Sequence, residues 1–181
     1  MRKFGYYMPW YVISGITSVT GGALMYTVDA NTKPGTVYGF SILIAIGAGT
    51  ALQAAYSVAA AKVEPKLVPS AIGFINMAQL GGTTIALTIA GQVFQSFAFK
   101  NVKVALSGLG FTDRDVHAAI AGAQSDLLAN VSAEVRMQVL DGIVKAVDKV
   151  YLLIVDGGAL TLVCSVFLKR EKLFLAVVAE G

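Results

Sequence analysis

The segment VYGFSILIAIGAGTALQAAYSVAAA, residues 37–61, carries no formal charge from end to end. An α-helix rises 1.5 Å per residue, so about 20 apolar residues are enough to cross a hydrocarbon core of roughly 30 Å. Charged residues appear again only outside the segment, at Lys33 and Lys62. The segment therefore predicts a transmembrane helix and sets the frame for the rest of the chain.

The composition agrees with a membrane protein. Of 181 residues, 56% are hydrophobic and 14% are charged, and the mean hydropathy is +0.69; soluble domains carry about 25% charged residues. The single cysteine, Cys164, and the single histidine, His117, exclude an internal disulfide and the usual zinc motifs. We therefore expect no metal and no cofactor. Basic residues form no stripe with interleaved aromatics, so nucleic acid is not an expected partner.

Three further segments are long and apolar enough to be spans, although Asp156 interrupts the last. The predicted fold class is an all-α membrane protein with four transmembrane helices and a long helical extracellular loop between spans three and four. Residues 1–95 hold spans at about 9–28, 37–61 and 70–94, residues 96–149 form the extracellular loop with amphipathic helices, residues 150–168 form span four, and residues 169–181 form a cytoplasmic tail.

Basic residues predict the orientation, because short loops rich in Lys and Arg stay in the cytoplasm. Seven of them lie on one side of the predicted spans: Arg2, Lys3, Lys62, Lys66, Lys169, Arg170 and Lys172. Both termini are therefore predicted to be cytoplasmic, in what we expect to be the plasma membrane. The loop over 96–149 then lies outside, where the sequon Asn130-Val131-Ser132 is a glycosylation candidate.

The loop has helical signals of its own. Thr112 and Asp115 have the spacing of a capping box, and apolar residues follow at helical intervals. A second helix is predicted to begin at Ser132 and to lead directly into span four. Residues 107–110, between these signals, have the composition of a flexible joint.

Glycines and amides within the spans point to a helix bundle. Lipid tails are as apolar as leucine, so close backbone approach and hydrogen bonds must hold such helices together. Gly47, Gly49, Gly81 and Gly82 are candidates for helix packing, with a pathway or hinge role as the alternative. An unpaired amide that faces lipid is unfavourable in free energy. We therefore expect Gln53, Asn76 and Gln79 to form interhelical hydrogen bonds or to line a substrate cavity.

Asp156 is the one charged residue within a predicted span. It lies six residues, about 9 Å, from the outer end of span four. Two interpretations are open: its carboxyl exchanges protons during transport, or it reaches the outer headgroups.

Several groups of residues together resemble one transporter family. They are Gly5, Tyr6, Tyr7 and Pro9 at span one, Gly47, Gly49 and Gln53 in span two, Phe74, Gln79, Leu80, Gly81 and Gly82 in span three, and Lys169, Arg170, Glu171 and Lys172 after span four. Over nearly its whole length the chain resembles the last four helices of the fourteen-span drug:proton antiporters of the major facilitator superfamily, and especially fungal toxin and multidrug efflux pumps.

The resemblance implies proton-coupled export of small molecules such as drugs, toxins or secondary metabolites. It also implies that Gln53, Asn76 and Gln79 face a central cavity. The chain is then either a fragment of such a pump or a natural short product, and in both cases we expect that it cannot transport alone. The lipid bilayer, a small-molecule substrate and the proton are then its partners.

Two other classes of protein compete with this interpretation. A four-span scaffold of tetraspanin-like topology has the same arrangement of spans and loop, but its loop is held by paired cysteines, which this loop lacks. A membrane-embedded enzyme would need a nucleophile with its base, paired acids or a histidine cluster. Asp156 and His117 do not supply one, so we expect no enzymatic activity.

Overall fold

The computed structural model describes residues 6–29, 31–121 and 131–168, and its regular structure is helical. Five α-helices follow one another: α1 (Met8–Tyr26), α2 (Pro34–Lys62), α3 (Val68–Ala105), α4 (Asp113–Ala121) and α5 (Ala133–Val166). A short 3-10 helix, Pro65–Leu67, leads into α3. The prediction of an all-α protein is confirmed.

Three of the described helical segments are long and apolar enough to cross a membrane: Pro34–Lys62, Pro65–Ala105 and Ala133–Val166. They overlap the predicted spans two, three and four. The predicted first span over 9–28 corresponds to α1, a helix of 19 residues that is not one of these three segments. The count of four spans therefore stays a prediction.

The helix ends carry the prolines and capping residues that typically begin a helix. Proline lies in the first turn of α1, α2 and α3, where the missing N–H costs no hydrogen bond. Before α4, the hydroxyl and the backbone N–H of Thr112 both donate to Asp115 Oδ2, at 2.7 and 2.8 Å. Ser132 caps α5 by accepting from the N–H of Val135 at 3.3 Å. The capping box and the helix beginning after Ser132 are confirmed.

Helices α3 and α5 are longer than the spans predicted within them. They contain 38 and 34 residues, about 57 and 51 Å at the usual rise, against a core of roughly 30 Å. Helix α5 runs without a break through the predicted outer segment and span four, as expected. Helix α3 continues past position 94, so the predicted loop begins as helix.

Helix α1 packs against α2 on one side and against α5 on the other, through small residues. The Ser14 hydroxyl donates to the backbone oxygen of Gly47 at 2.6 Å, which joins α1 to α2. A Cβ atom added to Gly15 would lie 2.6 Å from Leu162 Cγ in α5, and one added to Gly158 would lie 3.0 Å from Val19 N. These helices can approach so closely only because the side chains are absent.

Helix α4 folds back onto the C-terminal end of α3 and the N-terminal part of α5, which the charge pattern predicts to lie outside the membrane. The buried residues of this outer core are Val102, Leu106, Val116, Ala119 and Val139. The ring of the exposed His117 stacks on Phe99 with centroids 4.8 Å apart, so the histidine covers the surface of this core. The predicted joint reverses the chain between α3 and α4, and Gly108 and Gly110 have φ values of 83° and 77°, which glycine adopts without strain.

Candidate functional site

Polar side chains link α2 and α3 near the connection between these two helices. The Tyr56 hydroxyl donates to Asn76 Oδ1 at 2.5 Å and lies 3.4 Å from Gln79 Oε1. Tyr56 has one hydroxyl proton, so the shorter contact takes it and the longer one is the weaker alternative. Tyr56, Asn76 and Gln79 are called the amide cluster below.

One hydrogen-bond donor of the amide cluster has no acceptor among the described residues. Gln79 Nε2 is buried and has no hydrogen-bond partner among the described residues. An unsatisfied buried donor costs about 1–3 kcal/mol, so native proteins seldom keep one without a reason. The arrangement leaves an amide N–H group without an acceptor, and an acceptor from another helix or a bound molecule reaches it only after the Gln79 side chain turns outward.

The amide cluster lies a short distance along α2 and α3 from the ends that adjoin their connection. Tyr56 precedes the last residue of α2 by six positions, and Asn76 follows the first residue of α3 by eight. At the helical rise these intervals correspond to about 9 and 12 Å. The cluster therefore lies about two helical turns from the connection between α2 and α3, with Asn76 exposed and Tyr56 and Gln79 partly buried.

The structure brings together two of the three amides predicted to face a cavity. Asn76 and Gln79 meet through Tyr56, whereas the exposed Gln53 side chain forms no hydrogen bond within the described part of the chain. Tyr56 was missed in the sequence because a tyrosine in an apolar run is usually a packing residue. Its position one helical turn after Gln53 is the signal that could have identified it.

The four glycines singled out for packing differ in their surroundings. Gly47 is buried, and a Cβ atom there would collide with the side chains of Ser18 and Thr17 and lie 2.9 Å from Ser14 O. Nothing in the described structure lies within 4 Å of a Cβ atom placed on Gly49, Gly81 or Gly82. For those three glycines, helix packing stays a prediction.

Two other candidates remain as the sequence left them. Asp156 is exposed and forms no hydrogen bond or ion pair with the described residues, so both interpretations of its carboxyl stay predictions. Asn130, the glycosylation candidate, lies outside the described residues, as does the predicted tail over 169–181.

A second polar group lies at the opposite end of the bundle. Lys149 Nζ, on α5, donates to the hydroxyl of Tyr26 at 2.8 Å and lies 4.8 Å from the centre of its ring. Asn101 Nδ2, on α3, donates to the backbone oxygen of Gly142 at 3.0 Å. Asp148, next to Lys149, is 9% exposed. Polar contacts thus join α1, α3 and α5 at this end of the bundle.

The chain is similar to fungal proteins named as transporters. It is 40% identical over 176 residues to the MFS-type transporter pgmG of Aspergillus terreus, a match that covers 97% of this chain and 31% of that protein. It is 42% identical over 172 residues to the efflux pump patC of Aspergillus clavatus, covering 95% of this chain and 31% of the pump. The efflux pump alnA of Emericella nidulans is 37% identical over 179 residues, covering 99% of this chain and 32% of the pump.

The chain therefore spans a little less than a third of the length of these relatives. No family model matches the chain, and no solved structure matches it.

Proposed function

Since the chain is a homologue of fungal MFS-type transporters and efflux pumps and spans about 31% of their length, we propose that it forms part of a secondary transporter that exports small molecules. The observation that carries this proposal is the match itself, which covers 97% of the chain at 40% identity. The relatives' names favour an exporter over the four-span scaffold that topology alone allowed. The transporter acts on its cargo by binding and moving it, without an enzymatic step.

The amide cluster gives the proposal its chemistry. Export by alternating access requires a binding site near the middle of the membrane, formed between helices. The unpartnered Nε2 donor of Gln79 and the side chain of Asn76 are hydrogen-bonding groups between two helices, and this supports a binding role for them. We propose that they contact the cargo, with Gln53 on the same side of the pathway. Drugs, toxins and secondary metabolites with carbonyl or hydroxyl oxygens fit these donors.

The driving force that we propose is a proton gradient, which the resemblance to drug:proton antiporters implies. Asp156 is the carboxyl in the spans that we propose as a candidate for proton exchange, and contact with the headgroups is the alternative.

Export is testable in a chimera. In the efflux pump patC of Aspergillus clavatus, the matched region is replaced by this chain, and the chimera is produced in yeast. Growth on a panel of toxic compounds is measured first with the unmodified pump, to find the compounds it exports. We expect the chimera to protect against these compounds and the pump without the region to give no protection. A chimera that reaches the membrane in normal amount and exports none of them contradicts the proposal.

A variant of the amide cluster separates cargo binding from folding. We expect Gln79→Leu to reduce export about tenfold for compounds that accept a hydrogen bond, which corresponds to about 1.4 kcal/mol. Its thermal stability should be unchanged or higher, because the substitution removes an unsatisfied buried donor. Thr84→Ala is the matched control, since the Thr84 hydroxyl is already bonded to Leu80 O at 2.9 Å. Equal loss of stability and export in Gln79→Leu would contradict cargo contact.

We propose that the chain lies in the plasma membrane with both termini in the cytoplasm. In a Cys164→Ser background, a cysteine introduced at Ala105 is expected to react with an impermeant maleimide added outside intact cells. A cysteine at Lys62 is expected to react only after the cells are opened. Reaction of both positions from the same side would show that the orientation is wrong.

A further inference from the structure

A cleft opens between the outer ends of α1, α3 and α5, and its volume is about 410 Å³. Its lining includes Tyr26, Phe97, Lys100, Lys145, Asp148 and Lys149. These residues define the outer cleft. It is about as large as the pockets that bind small organic molecules, which are commonly around 300–1,000 Å³. The amide cluster lies at the other end of the bundle, so the outer cleft is a separate site.

The three lysines of the outer cleft differ in how far their charges are already compensated. Lys145 Nζ lies 2.7 Å from Asp141 Oδ2 and forms an ion pair. Lys149 Nζ donates to the neutral Tyr26 hydroxyl at 2.8 Å, and its charge is opposed only in part, by the neighbouring Asp148 carboxylate. Lys100 is exposed and has no ion pair or hydrogen bond with the described residues. Lys100 and Lys149 are therefore the two cations available to an anion.

The acidic group of the outer cleft is largely buried. Asp148 is 9% exposed, and it precedes the uncharged part of α5 that begins at residue 150, so it lies outside the predicted span. Burial raises the pKa of its carboxyl to about 6, opposed by the positive charge of Lys149. Asp141 and Asp29 raise the pKa further, and Lys145 lowers it. Because Asp141 neutralises Lys145, the two lysines Lys100 and Lys149 stand against the Asp148 carboxylate, and the lining keeps one net positive charge at neutral pH.

Aromatic rings complete the chemistry of the cleft. Phe97 and Tyr26 are both 39% exposed, so their rings are accessible beside the lysines. A ligand that matches both features has an anionic group joined to an apolar body. We propose that the outer cleft binds amphipathic small molecules through a carboxylate group, as a site where acidic cargo is held at the outer end of the pathway.

This proposal rests on the proposed function, because the cargo of an exporter is the source of such molecules. The phosphate of an anionic lipid offers similar charge at the same end of the bundle. A cleft of about 410 Å³ is large enough for a whole small molecule but admits only part of a phospholipid. We therefore assign the site to the small carboxylate, and the experiment includes the lipid as a competing occupant.

The binding test uses the full 181-residue chain in phosphatidylcholine nanodiscs and 2-naphthoate as the probe. Acetylation of each lysine is followed by mass spectrometry. We expect 2-naphthoate to slow the acetylation of Lys100 and Lys149 at least threefold, and its neutral counterpart 2-naphthamide to have no effect. Lys103 is the internal control, since it lies on the same helix but pairs with Asp113 at 2.7 Å. Equal protection by the amide overturns the proposal.

Lipid competition is tested by adding phosphatidylglycerol to the nanodiscs. Protection of Lys100 and Lys149 by this lipid, with no protection by 2-naphthoate in phosphatidylcholine alone, would also overturn the proposal. Lys100→Gln should weaken 2-naphthoate binding about fivefold, the loss expected when one exposed charge at about 4 Å is removed. Lys103→Gln should leave binding unchanged.

The pH dependence of 2-naphthoate binding tests the role of Asp148 independently. Below pH 6 its carboxyl is neutral and the cleft is more positive, so 2-naphthoate should bind about threefold more tightly at pH 5.5 than at pH 8. Asp148→Asn should remove this difference and keep the tighter binding at both values. Asp29, Asp141, Lys145 and Lys149 are the other charged groups acting on this carboxyl. An identical pH difference in Asp148→Asn would contradict its assigned role.

The chimera separates this proposal from the proposed function. If the chimera exports neutral compounds but Lys100→Gln has no effect on acidic ones, the cleft proposal fails and the export function stands. If the nanodisc protein binds 2-naphthoate and the chimera exports nothing, the carboxylate site in the cleft stands and the export function fails.

Discussion

Replacing Gly47 by leucine is expected to separate α1 from α2. A Cβ atom at this position would lie 2.9 Å from the backbone oxygen of Ser14, which cannot move without shifting the helix, and would collide with Ser18 and Thr17. The same shift would break the 2.6 Å hydrogen bond from the Ser14 hydroxyl to Gly47 O. Overpacking of this kind costs about 3 kcal/mol or more. In nanodiscs we expect the midpoint of thermal unfolding to fall by roughly 10 °C.

Gly49→Leu is the matched control for this prediction. Two residues correspond to about 200° around a helix, so Gly49 lies on nearly the opposite side of α2 from Gly47. Nothing in the described structure lies within 4 Å of a Cβ atom there. Leucine also favours helix over glycine by several tenths of a kcal/mol, so the midpoint should stay the same or rise. Equal destabilisation by both variants would show that the α1–α2 contact is not the cause.

Gly47 and Gly49 show which part of the helix packing could be predicted from the sequence and which part could not. Small residues within apolar segments predict close helix contacts in general, because only backbone approach and hydrogen bonding hold helices together in lipid. They do not say which side of the helix meets a neighbour. That choice depends on the position of α1, and α1 selects Gly47 through Ser14, 33 residues earlier in the chain.

The helix boundaries show a similar division between local and distant causes. The capping box at Thr112 and the cap at Ser132 were predictable, since both act within one helical turn. The end of α3 was not, because hydropathy marks where a helix leaves the hydrocarbon and not where its hydrogen bonds stop. Helix α3 continues to Ala105, where the buried residues Val102 and Leu106 pack against α4 and α5.

The amide cluster was predictable in part. The cost of burying an amide in lipid predicts that Asn76 and Gln79 face protein or a cavity, whatever the fold. Their shared partner, Tyr56, lies on another helix, and only the crossing of α2 and α3 brings its hydroxyl between them. The outer cleft was not predictable for the same reason: three separate helices supply its lining.

Apolar contacts in the outer core hold α4 against α3 and α5. Val102 is fully buried where α3 meets α4 and α5, whereas Val104 on the same helix is 70% exposed. We expect Val102→Asp to detach α4, because an unpaired charge in an apolar core costs about 3–5 kcal/mol. The exposed ion pair between Lys103 and Asp113 is worth at most about 1 kcal/mol and cannot hold α4 in place.

Hydrogen exchange measures this detachment directly. In Val102→Asp the amides of Asp113–Ala121 should lose their protection, while those of α1 and α2, which share no contact with the outer core, keep theirs. Val104→Asp should leave all of them protected. If Val102→Asp fails to fold, Val102→Ala provides a milder test, with a loss of roughly 2 kcal/mol and faster exchange confined to α4. Unchanged exchange in Val102→Ala would mean that the tight turn at Gly108 and Gly110, and not the apolar core, holds α4 against the bundle.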